Sequence, residues 1–197
     1  MEKHFSAYMY RLRYIERWSL MRNVMPENVA EHSFHVALLT HMLCTIGNIE
    51  FGRHVDTNHA ITLALFHDAT EVFTGDIPTP VKHHNPRILA NFREIESIAS
   101  ERLVSMVPPS LLAAYSPLLD SKSSEHPELH KYVKAADLLD AYLKCVTELT
   151  AGNREFAEAK KQTIAKLQAF DMPEVEYFLQ YLAPSFEKTL DELSETE

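Results

Sequence analysis

Apolar residues recur at helical spacing along nearly the whole chain. Phe5, Met9, Leu12 and Ile15 form a 4-4-3 stripe that predicts a first helix. Met25-Pro26-Glu27-Asn28 reads as a turn, with Asn28 placed to cap a second helix running to Asn48, beside Gly47. Asp56 or Thr57 can cap a third helix through Ile61, Leu65 and Val72, stopped by Thr74-Gly75-Asp76. Pro78 and Pro80 exclude regular helix from Gly75–Lys82. Asn85-Pro86 has the form of an N-cap followed by a proline in the first helical position, opening a helix to about Val107. Pro108-Pro109 ends that helix, Ser110–Leu119 is a short helix or turn, and the polar Asp120–Pro127 is a loop. A long helix from about Glu128 to Ala151 closes at Gly152, and Asn153 caps the next one. Asp171-Met-Pro-Glu174 has capping-box spacing ahead of Tyr177, Phe178 and Tyr181. Pro184 separates a last segment, with a frayed tail at Ser194–Glu197. The expectation is an all-α chain, 1–197, without repeats or linkers.

Composition narrows the partners. The 197 residues are 46% hydrophobic and 24% charged, enough for a core that needs no staples. The longest apolar runs, such as Val36–Leu39 and Leu63–Phe66, fall far short of the ~18 residues of a membrane span. Charges run through the N-terminal stretch, so no secretory signal is expected there. Cys44 and Cys145 are isolated, which fits a reducing cytoplasm and argues against cysteine ligation. A net charge of −9 argues against nucleic acid polymers, whose phosphates need clustered Lys and Arg. A small phosphate ester stays compatible if a metal or a local Arg/Lys cluster offsets the overall field. The four glycines, Gly47, Gly52, Gly75 and Gly152, cannot supply a dinucleotide fingerprint, a P-loop or a nucleophile elbow.

Chemistry gathers around histidine and aspartate. Eleven histidines in this length make a lone His67-Asp68 pair uninformative, but its setting is not. The pair interrupts the apolar run Leu63–Phe66, and Asp137 likewise sits in the apolar part of the long helix. A carboxylate in such surroundings needs a cation or hydrogen-bond donors beside it. His32 lies near the start of the second helix. His32, His67, Asp68 and Asp137 form an N2O2 set that suits Mn, Fe, Co, Ni or Zn better than Ca or Mg. No H-E-x-x-H occurs. His35 and His41 read as core-edge or solvent residues, and His4, His83 and His84 as surface.

The pattern H…HD…D on consecutive helices resembles the HD-domain superfamily of metal-dependent phosphohydrolases. Longer segments resemble the bacterial 5′-deoxynucleotidases within it: Glu16-Arg-Trp-Ser-Leu-Met-Arg-Asn-Val24, Asn28-Val-Ala-Glu-His-Ser33, His67-Asp-Ala-Thr-Glu-Val-Phe-Thr-Gly-Asp-Ile-Pro-Thr-Pro-Val-Lys82 and Val133-Lys-Ala-Ala-Asp-Leu-Leu-Asp-Ala-Tyr-Leu-Lys-Cys145. The likeness continues through Glu148-Leu-Thr-Ala-Gly-Asn-Arg-Glu-Phe156 and Ala183-Pro-Ser-Phe-Glu-Lys-Thr-Leu-Asp-Glu-Leu193. It implies a single HD-type helical bundle over 1–197 with its core at about 28–145. It also implies a homodimer that removes the 5′-phosphate from deoxyribonucleoside 5′-monophosphates. One divalent transition metal, cobalt, manganese or similar, would be held by His32, His67, Asp68 and Asp137. Glu71 would be the catalytic carboxylate. Substrate contacts would come from Arg17, Trp18, His32, Asp68, Asp76, Ile77, Pro78, Thr79, Pro80 and Asp137. Helical spacing agrees for Glu71, which is i+4 from His67 and i+3 from Asp68. Lys82 and Arg22 could neutralise a phosphate or lie on the surface. An HD hydrolase of triphosphates would want more basic residues at its pocket, and the G-Y-P signature of the cyclic-dinucleotide type is absent. An idle nucleotide-binding scaffold fits poorly with an intact ligand set and Glu71.

Overall fold

Helix α2, Val29–Glu50, is the axis of the molecule. Its start is written locally: the Asn28 side chain accepts from the Ala30 and Glu31 N–H groups, and Glu31 reaches back to the Asn28 N–H. Such a box contributes about 1 kcal/mol and fixes where the helix begins. In this computed structural model, which describes residues 2–119 and 126–195, α2 packs against α3 (Thr57–Phe66), α8 (Pro127–Thr150) and α10 (Pro173–Tyr181). Val36, Leu43, Cys44, Ala60, Ala64, Ala136, Leu139 and Phe178 are fully buried where these helices meet. The approach is close at Gly47, where a Cβ would stand 2.8 Å from the Tyr132 hydroxyl. Helix α9, Ala157–Gln168, covers the far side of α8.

A smaller cluster of Phe5, Ala69, Leu103, Val107 and Leu119 joins α1 (Phe5–Met9), α6 (Pro86–Ser105) and α7 (Leu112–Leu119). Ala69 follows His67-Asp68 directly, so this second cluster clamps the segment carrying the two donor-type residues. Among the described residues there is no strand, only an isolated antiparallel bridge between Glu16 and Asn28, and no helix long and apolar enough to cross a membrane.

The structure departs from the sequence pattern at several points. The first helix is shorter than its stripe: α1 tightens into a 3-10 turn over Tyr10–Tyr14, and the chain is extended by Ile15. The third helix does not run to Val72. It ends at Phe66, turns through His67–Thr70, and resumes as the single turn α4, Glu71–Thr74. Pro78 and Pro80 do not forbid helix: α5, Thr79–Lys82, places Pro80 in its first turn, where a missing N–H costs nothing. Asp171-Met-Pro-Glu174 forms no capping box, because Glu174 points inward to the Tyr132 hydroxyl and Arg53. The last segment holds α11, Leu190–Ser194. Most of the expected loop, 120–125, and the last residues of the tail, 196–197, lie outside the described residues.

Candidate active site

The break after α3 is what assembles the site. Leaving the helix at His67 turns its ring toward α2, with Nδ1 2.7 Å from the Ala64 carbonyl oxygen. That contact makes Nδ1 the donor and presents Nε2 to the interior. His67 Nε2 lies 3.2 Å from His32 Nε2 and 3.1 Å from Asp68 Oδ2. His32 Nε2 is 3.3 Å from Asp68 Oδ2 and 3.3 Å from Asp137 Oδ1, which enters from α8. Donors ~2.1 Å from a shared ion stand ~3.0 Å apart at an octahedral edge and ~3.4 Å apart at a tetrahedral one. The observed spacings fall in that interval.

Charge makes the same demand. Burial alone would lower the pKa of His32, yet hydrogen bonds to Asp137, Asp140 and Asp68 raise it well above its ordinary value. Burial alone would raise Asp68, yet the His67 and His32 rings hold its carboxyl well below the usual range. Desolvation among the packed groups would raise Asp137 too, yet the hydrogen bond and charge of His32 lower it. Carboxylates packed on imidazoles call for positive charge, which protons supply in part and a dication supplies better. The residues therefore fit a divalent transition metal.

Residues that sequence patterning did not single out support this group. Asp140, one turn beyond Asp137 on α8, accepts from His32 Nδ1 at 2.7 Å, fixing that ring with Nε2 inward. Arg17 Nη1 bridges Glu27, at 2.5 Å, to Asp140, at 3.5 Å. Both contacts use one nitrogen of a guanidinium that has five N–H donors, so much of the fork faces elsewhere. The spacing Asp137–Asp140 was the available signal, since i and i+3 share a helix face. Asp140→Asn weakens the acceptor that orients His32. The expected loss is ~10- to 100-fold in metal affinity, read by titrating the chelated protein; unchanged affinity would release Asp140 from this role.

Glu71 opens α4 beside the donors. Burial and the charges of Asp68 and Asp76 push its carboxyl up to about 9, and its Oε2 is buried without a hydrogen-bond partner. Asp76 follows Gly75, whose φ of 69° makes the turn out of α4, and its carboxylate lies beside the Trp18 backbone. Ile77 and Glu71 line one small cavity, with the Lys82–Glu96 ion pair at its edge. Pro78, Thr79 and Pro80 start α5, and no hydrogen bond or ion pair joins them to the donor group. Arg22 is on the surface, paired with Glu155. His4, His41, His83 and His84 are exposed, and His35 reaches Asp140 from the rim.

Trp18 lies in the irregular segment after the first helical stretch, with a left-handed φ of 58°. A non-glycine residue there costs of order 1–3 kcal/mol and persists only where its surroundings dictate it. Its ring lies 5.4 Å from that of Phe156, and its Nε1 is buried with no partner.

A larger cavity of about 440 Å³, lined by Arg53, His59, His126, Tyr132 and Glu174 among others, lies toward the other end of α2. Among the described residues, groups with three donor atoms within 4.8 Å occur only around His32, not in that cavity.

The donor group, on a helical frame of this kind, agrees with what comparison shows. A family model described as 5′-deoxynucleotidase YfbR-like matches residues 4–186. The chain belongs to that family. A 5′-deoxynucleotidase of Vibrio parahaemolyticus is 49% identical over 98% of this chain and 99% of its own. An HD-domain phosphohydrolase from Listeria innocua superposes with a TM-score of 0.79 at 25% identity, covering 93% of this chain and 88% of that one. The cyanophage S-2L HD phosphohydrolase, bound to dA and one catalytic Zn2+ ion, superposes with a TM-score of 0.67 at 20% identity over 96% of this chain and 100% of that one. The all-α HD fold expected from the H…HD…D pattern is the fold observed.

Proposed function

We propose that this chain removes the 5′-phosphate from deoxyribonucleoside 5′-monophosphates, with the four donors as metal ligands and Glu71, Arg17 and Trp18 as the chain's own reacting and binding groups. The observation that carries the reading is the convergence of His32, His67, Asp68 and Asp137 beside a buried carboxyl, in a chain of this family. The metal would supply Lewis acidity at the phosphoryl group and lower the pKa of a water nucleophile. Its N2O2 donors suit cobalt, manganese or zinc.

Hydrolysis takes a proton from the attacking water and delivers one to the departing O5′. Glu71 is the carboxyl placed for such a transfer, kept dry and, with its pKa pushed up to about 9, holding a proton it can deliver. Arg17, fixed by Glu27 and Asp140, offers its remaining N–H groups to phosphate oxygens. Asp76 and Ile77 form the wall beside Glu71, with Pro78, Thr79 and Pro80 extending it. One HD domain spans 1–197, its core at about 28–145. Buried, unpaired Cys44 and Cys145 suit the cytoplasm. Phe34 and Leu38, exposed one turn apart on α2, offer apolar surface to a second copy in a homodimer.

Sugar selectivity is assigned to Trp18. An indole wall against C2′ accepts hydrogen and crowds a hydroxyl, a discrimination of ~10²-fold for an apolar surface. Trp18→Ala should narrow the deoxy-to-ribo ratio of kcat/KM, whereas Arg17→Ala should weaken both substrates together. Equal losses on both sugars for Trp18→Ala, with a lower Tm, would make the residue a packing plug against Phe156.

A further inference from the structure

The segment Glu148–Phe156 carries part of the family likeness, yet none of the chemistry above uses it. Its side chains grip the loop that bears Arg17 and Trp18. Glu148, in the last turns of α8, is fully buried, and a carboxylate so placed must be met by donors. The Val24 and Met25 N–H groups donate to it at 2.9 and 3.1 Å, Asn153 Nδ2 at 2.7 Å and Lys144 Nζ at 2.5 Å. Lys144 also donates to the Met25 carbonyl oxygen, and Asn153 to that of Arg22 at 2.6 Å. Phe156 then packs against the Trp18 indole.

The loop has little else at this end. Its base is closed by the Glu16–Asn28 bridge, where the Arg17 N–H donates to the Glu27 carbonyl oxygen at 2.9 Å. Trp18 is linked onward by the Met21 N–H and Asn23 Nδ2, both donating to its carbonyl oxygen. Arg17 is thus tied through the base and through Glu27. The tip, Arg22–Met25, is tied through Glu148, Lys144 and Asn153 and, at the surface, through the Arg22–Glu155 ion pair, and the indole rests on Phe156.

We propose that Glu148, with Asn153 and Phe156, forms a positioning platform that sets the Trp18 indole against the sugar and so governs selectivity between deoxyribose and ribose. The proposal rests on Trp18 facing the substrate. Glu148 touches neither the donor group nor the phosphate side, so its influence passes through the loop alone. The four donors also hold its carboxyl down, to about 2 against the pull of burial. Replacing one carboxylate oxygen with an amide NH2 turns a donor toward donors and leaves buried N–H groups unpaired, which loosens the tip.

The test is Glu148→Gln, followed through Trp18 fluorescence, since Trp18 is the chain's only tryptophan. Acrylamide quenching of Trp18 should rise, and the deoxy-to-ribo ratio of kcat/KM should fall by ~10-fold or more toward the Trp18→Ala value. Metal content should match the wild type, and Glu148→Gln added to Trp18→Ala should narrow the ratio no further. Asn153→Ala, which leaves Glu148 three donors, should shift both readouts in the same direction and serves if Glu148→Gln does not fold. Unchanged quenching and selectivity with only a lower Tm would overturn the platform. A mobilised Trp18 with unchanged selectivity would instead refute the sugar-facing position of Trp18, and the selectivity claim with it.

Discussion

Asp68→Ala and Asp137→Ala each abolish phosphate release and strip the bound metal, while the helical circular dichroism is retained. Each carboxylate places an oxygen 3.3 Å from His32 Nε2, one from the segment after α3 and one from α8, so either loss leaves an incomplete donor set around that nitrogen. The fold should tolerate both changes. The Asp68 and Asp137 side chains are 24% and 42% exposed, and the surrounding buried residues, Ala69, Ala136 and Leu139, are untouched. Elemental analysis of both purified variants decides the matter; full metal content in both would refute the ligand assignment.

Glu71→Gln keeps metal and substrate but lowers kcat by ~10²–10⁴-fold, the range of a general acid–base group. Near-normal kcat would remove Glu71 from the mechanism. The same variant has a signature in the chelated protein that needs no substrate. Burial, with the charges of Asp68 and Asp76, raises the Glu71 carboxyl from 4.5 to about 9. A raised carboxyl gives stability that is fully present below its unfolded value and is lost as pH climbs through the folded one. Wild-type Tm should therefore fall relative to Glu71→Gln as pH rises from about 4.5 to about 9, with the variant gaining at the alkaline end. Asp76, raised in the same direction by burial, is present in both proteins and cancels from the difference.

Features encoded within a few residues are legible in the amino-acid order itself. Asn28, Asp56, Asn85 and Asn153 each cap the element that their neighbours suggest, because the bond runs from a side chain to a backbone N–H no more than three residues away. The donor types His32, His67, Asp68 and Asp137 stand out because each breaks an apolar pattern. Long-range competition leaves no such local mark. The stripe of α3 continues past Phe66, but His67 takes the Ala64 carbonyl and the helix yields. Glu174 has the spacing of a capping residue and is drawn inward by Tyr132 and Arg53, more than forty residues away in each case. Asp140 and Glu148 act on partners more than a hundred residues distant, and no periodicity within one helix announces such a pairing.

The central claim, metal-dependent phosphomonoester hydrolysis with preference for deoxyribose, is tested most directly by one assay of the wild-type chain. Phosphate release is measured from matched deoxyribo- and ribonucleoside 5′-monophosphates before chelation, after chelation, and after cobalt, manganese or zinc is restored. The account predicts faster release from the deoxy substrates, its loss in chelator and its return with metal. Release that survives chelation, or that favours ribose, would contradict it.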